Sequence, residues 1–70
     1  MLRVYKIILD NKITINEISL FLNIFFSQVS NMLRMKMDLP LTYLIKIRDY
    51  LILKEIIDDS CDLGSLVDIV

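Results

Sequence analysis

The six residues from Ile13 to Ile18, ITINEI, decide how this chain is read. Thr14 carries a side-chain oxygen that can accept from the free N–H groups of a first helical turn. Glu17, three residues on, can reach back to the N–H of the capping residue itself. Ile13 and Ile18 stand at the two positions of a hydrophobic staple, one before the cap and one a turn inside the helix. Three separate features mark one boundary, so the spacing predicts a helix over about 15–22. Asn23 follows it, and asparagine enters the left-handed conformation more easily than other non-glycine residues, which suits a tight turn. A second short helix is expected over about 26–35. The run Lys36-Met37-Asp38-Leu39-Pro40 reads as a loop, with Pro40 close to the start of a further helix over about 41–52.

The remaining segments follow the same period. Leu2, Tyr5, Ile8 and Leu9 form an apolar stripe before the cap. Tyr43 or Leu44, then Ile47, Leu51 and Lys54, mark a stripe that stays apolar until its last member. Residues 54–70 can form one or two short helical turns, with Gly64 as a break. No sustained period-2 alternation and no Asn-Gly or Asp-Gly hairpin signal competes with this reading. The expected fold is all-α, a compact domain of four to five helices, with Ile18, Leu22, Ile24, Val29, Met32, Ile47 and Leu51 in its core.

Seventy residues make one small domain, and a chain of this length buries only about 60% of its unfolded surface. It has one cysteine, Cys61, and no histidine, so neither a disulfide nor a common structural metal site is on offer. Apolar packing must hold it together. With 56% hydrophobic and 24% charged residues, the chain carries more apolar material than a small monomer hides, which predicts that a second chain covers some of it. The same deficits argue against an enzyme. General acid–base work favours histidine, and Cys61 has no histidine to activate it. The Asp58-Asp59-Ser60-Cys61-Asp62 cluster lacks the ligand spacing of a calcium loop and reads as a solvated helix end. Met32, Met35 and Met37 read as core and edge fillers. No cofactor and no metal are expected.

The longest uncharged run, Ile18 to Leu33, is interrupted by serine, asparagine and glutamine and does not suit a membrane span. Asp10 cuts short the only apolar stretch near the N-terminus that could serve a signal peptide. Cytoplasmic residence is the expectation. The net charge of −1 conceals an asymmetry. Residues 1–48 hold seven bases and three acids, net +4, whereas residues 49–70 hold one base and six acids, net −5. A basic front and an acidic tail suit a binding face at one end and a solvated or self-associating tail at the other.

An eight-residue helix, a turn at Asn23 and a second short helix have the form of a helix-turn-helix. Residues 14–36 resemble, without a gap, the Cro/repressor-type (XRE-like) helix-turn-helix family of phage repressors. The resemblance is carried by Thr14, Glu17, Ile18, Leu22, Ile24, Val29, Ser30 and Lys36, with Ser19 as the small residue where two helices cross. Gln28-Val29-Ser30-Asn31 is similar to a common reading helix, and Leu44 to Leu51 resembles the family's later helix. The likeness extends over about residues 2–58, which leaves 59–70 as an acidic and apolar C-terminal segment suited to dimerisation. It implies a small cytoplasmic DNA-binding transcriptional regulator of the phage or bacterial kind. Phe26, Ser27, Gln28, Ser30, Asn31, Arg34 and Lys36 would then meet double-stranded DNA. It also implies a homodimer, for which Leu63, Leu66, Val67, Ile69 and Val70 are the expected contact.

The departures bear on function. Asn23 stands at the usual turn glycine, Leu33 at a usual glutamate and Met35 at a usual glycine. Ile15, Leu20, Phe21, Phe25 and Phe26 are apolar where the family is polar. This opens a second reading, in which the shape serves as a protein–protein module, an antirepressor or inhibitor, through an exposed face of Leu20, Phe21, Phe25 and Phe26. A third reading rotates the helices so that Phe21 and Phe25 are simply core.

Overall fold

In the computed structural model, which describes residues 1–70, Thr14 caps a helix as its sequence requires. Its Oγ1 accepts from the Glu17 N–H at 3.1 Å, and helix α2 (Ile15–Leu22) starts one residue later. Ile13 and Ile18 are both buried, as a staple demands. Glu17 does not complete the capping box. Its carboxylate instead accepts from the Tyr50 hydroxyl at 3.1 Å, because a phenol whose ring lies in the core needs an acceptor and Glu17 is within reach. The other helices are α1 (Arg3–Asp10), α3 (Phe26–Leu33), α4 (Leu41–Leu53) and a single turn, α5 (Leu63–Leu66). The molecule is all-α, with one isolated antiparallel bridge between Leu2 and Ile69.

The first four helices stop in the same way. Lys12, Asn23, Met35 and Glu55 all have φ between 58° and 62°, the left-handed region. After each helix the next amide reaches back five residues: Ile13 to Ile8, Ile24 to Ser19, Lys36 to Asn31 and Ile56 to Leu51, at 2.8–3.2 Å. This is the Schellman arrangement, which satisfies carbonyls that a helix end leaves open. Glycine usually takes its left-handed position. Here the sole glycine lies elsewhere, inside α5 rather than as a break before it, because Asp62 caps that turn through the Gly64 N–H at 3.1 Å. The left-handed Met35 also ends α3 two residues earlier than the expected 35.

The helices enclose a core of Leu2, Val4, Ile8, Ile13, Ile18, Leu22, Val29, Met32, Leu33, Leu44, Ile47, Tyr50, Leu51 and Leu66. α2 packs on α3 and α4, and α5 closes over α1 and α4. Several expectations need correction. On α1 the buried pair is Val4 and Ile8, one turn apart, while Tyr5 is half-buried and Leu9 exposed. Ile24 is half-buried, since it follows the turn and stands at the edge of the core. Met35 and Met37 lie on the surface because the chain has already left α3 there. Leu66 is not free for a partner, because it is fully buried in this chain's own core. The segment that carries it is tied to α1 by the Arg3 N–H donating to Asp68 O at 2.8 Å, beside an Arg3–Asp68 ion pair at 4.0 Å.

Candidate nucleic-acid interface

The seven residues expected to meet DNA are placed by α3 and the turn after it. Val29, Met32 and Leu33 face inward and fix the rotation of the helix. Ser27 and Asn31, one turn apart, and Arg34, close to a turn further, then form an exposed stripe. Phe26 and Lys36 are exposed as well, whereas Gln28 and Ser30 are half-buried on the flanks. None of the seven side chains makes a hydrogen bond or ion pair within the chain. The three ion pairs are Arg3–Asp68, Lys6–Asp10 and Arg48–Asp49, and Lys54 lies 5.5 Å over the Tyr50 ring. Arg34 and Lys36 are therefore uncommitted cations at one end of the stripe. From Ile18 to Leu33 there is no charge at all.

The apolar face is exposed too. Phe25 is 81% exposed, Leu20 73%, Phe26 53% and Phe21 43%, which overturns the reading in which Phe21 and Phe25 are core. The rotation set by Ile18, Ser19 and Leu22 leaves Leu20 opposite the core. Phe25 stands outside α3 as its N-terminal flanking residue. A groove of about 420 Å³ runs along the outside of the turn between Ser19, Leu20, Asn23, Ile24, Phe25 and Gln28. Phe21 is only partly free, since its ring stacks obliquely on Tyr50 with centroids 4.9 Å apart. Burial raises the pKa of the Tyr50 phenol, and the hydrogen bond to Glu17 and the negative charge of that carboxylate push it the same way.

The Glu17–Tyr50 bond was invisible to sequence reasoning, because 33 residues separate the two and no local spacing links them. A second groove, of about 330 Å³, lies between the α3–α4 loop and the C-terminal segment. Its signal was the Met35-Lys36-Met37-Asp38 run, which reads as filler unless Met35 is known to be left-handed. No group of three or more acidic, cysteine or histidine side chains is arranged to hold a metal ion, and no helix is long and apolar enough to cross a membrane. No protein-family model matches the chain, and no curated protein or solved structure matches it either.

Proposed function

We propose that this chain is a small DNA-binding transcriptional regulator of the repressor type that reads the major groove with α3. The observation that carries the reading is the stripe of Ser27, Asn31 and Arg34, exposed and without internal partners, on a helix braced against α2 by the left-handed turn at Asn23. An eight-residue helix is about 12 Å long, comparable to the width of the groove it would enter. Asn31 would pair with an adenine edge and Ser27 with either partner of a base pair, while Gln28 and Ser30 flank them. Arg34 and Lys36 would neutralise phosphates, which supply most of the affinity. Phe26 would rest on a thymine methyl. Such a role belongs in the cytoplasm, beside the DNA.

The test is selection from a pool of random duplexes, followed by titration of the selected site at two salt concentrations. Asn31→Ala should weaken binding by about 1–3 kcal/mol, concentrated at one base position. Lys36→Ala should weaken binding to every sequence and lower the salt slope by about one unit. If no duplex is retained even at low salt, the reading is wrong.

A second reading is favoured by the exposure of Leu20, Phe21, Phe25 and Phe26. Aromatic side chains are common interface anchors, so this face would hold another protein, with the chain acting as an antirepressor or inhibitor. The order of effects then reverses: Phe25→Ala or Phe26→Ala weakens the complex by about 2 kcal/mol, and Asn31→Ala does not.

A further inference from the structure

We propose that Phe26 reads the 5-methyl group of a pyrimidine, so that the chain prefers thymine to uracil and 5-methylcytosine to cytosine at one position of its site. The inference rests on α3 entering the major groove, and it adds a sensitivity to base methylation. Of the three phenylalanines, Phe21 stacks on Tyr50 and Phe25 lines the groove outside the turn. Phe26 has no ring partner, lines neither groove and takes no part in the core. Its ring is exposed at the first position of α3. The first residues of a reading helix are the ones that meet base edges.

Phenylalanine has no donor and no acceptor, so it is blind to the polar groups of a base edge. The one apolar feature in the major-groove pattern is the 5-methyl group, which thymine carries. 5-Methylcytosine carries the same group on the same ring atom. Next to it the two bases differ, a carbonyl in thymine against an amino group in cytosine. Ser27 follows Phe26 in the chain and Ser30 lies one turn on. A hydroxyl donates to a carbonyl or accepts from an amino group with equal ease. Neither hydroxyl bonds within the chain, as those of Ser19, Ser60 and Ser65 do. No charge lies between Ile18 and Leu33, so α3 has neither the arginine or lysine that selects guanine nor the carboxylate that selects the amino group of cytosine. The polar surroundings are indifferent to which pyrimidine is present, and the methyl group decides. A cytosine at this position makes a weak site that methylation strengthens.

The test starts from a duplex selected with the full chain. Each thymine is replaced singly by uracil, which removes the methyl group alone. One replacement should weaken binding about fourfold, the worth of one buried methyl group. Phe26→Ala should abolish that difference while keeping the melting temperature, and Phe25→Ala should leave it in place. At the same position, opposite guanine, 5-methylcytosine should bind about fourfold tighter than cytosine, again only with Phe26 present. A selected duplex in which no thymine responds to uracil overturns this inference and leaves DNA binding standing. So does a uracil effect that survives Phe26→Ala. A uracil effect with no gain from 5-methylcytosine overturns the sensitivity to methylation. If no duplex is retained even at low salt, DNA binding itself fails and the inference falls with it.

Discussion

Helices α2 and α3 have eight residues each, bury three apiece and end in the same left-handed turn, yet they begin differently. Thr14 gives α2 a side-chain acceptor and Glu17 puts a negative charge in its first turn. Phe25, which flanks α3, has no side-chain oxygen to offer, and no acid lies in that helix's first turn. The Gln28 N–H donates to the Phe25 carbonyl at 3.1 Å, but the Phe26 and Ser27 amides have no partner in the chain, and the positive end of the helix dipole is uncompensated. α2 is thus stabilised locally from its start. α3 owes its position to Val29, Met32 and Leu33 and to the turn at Asn23, so its outer surface is free to vary without loss of the helix.

That comparison is sharpest where the effects are largest. Leu22→Ala on α2 and Leu33→Ala on α3 should each lower stability by about 3 kcal/mol in chemical denaturation, since both side chains are buried in one core. A much smaller loss at Leu33 would show that α3 is loosely held, and the comparison would fail. At the helix starts the two sites should part company. Thr14→Ala should lower stability by about 1 kcal/mol, whereas Phe25→Ser should be neutral or raise it by up to about 1 kcal/mol, because it supplies the missing cap at an exposed position. Equal losses at both sites would mean that Phe25 packs in a way its exposure denies. The smallest effect concerns the latch between α2 and α4. The pKa of Tyr50 is raised in the fold above its value in the unfolded chain, so its contribution to stability is complete below about pH 10 and is lost as the pH climbs further. Tyr50→Phe should flatten that alkaline loss while changing stability near neutrality by about 1 kcal/mol or less. An unchanged alkaline limb would show that the Tyr50 hydroxyl and its bond to Glu17 do not set that loss.

Much of this architecture was legible because it is local. The start of α2, the turn at Asn23 and the inward rotation of Val29 and Met32 all follow from neighbours within five residues. What escaped notice depends on distant pieces. On α1 it is Val4 that is fully buried, while Tyr5 stands at the core's edge and Leu9 is exposed, on a helix packed by α5 from some sixty residues later. Leu66 looked like part of a sticky tail because apolar composition does not say which chain will cover it. Glu17 was assigned to its own cap because its competitor, Tyr50, is not a neighbour in sequence. Of the seven residues expected to meet DNA, the structure sets Ser27, Asn31 and Arg34 on one strip and turns Gln28 and Ser30 partly aside, a distinction that requires the exact helix rotation.

The four glycine-free helix ends describe how much room this sequence has left to improve. Asparagine is at ease in the left-handed conformation, but Lys12, Met35 and Glu55 each hold roughly 1 kcal/mol of backbone strain. In a domain of this size, 1 kcal/mol corresponds to about 4–8 °C of melting temperature. A lineage moving to a hotter habitat could therefore harden the fold by single substitutions to glycine, without disturbing the core or the outer face of α3. Lys12 and Glu55 are two such routes. Met35 is the third, and there the exchange would also remove an exposed apolar side chain from the surface.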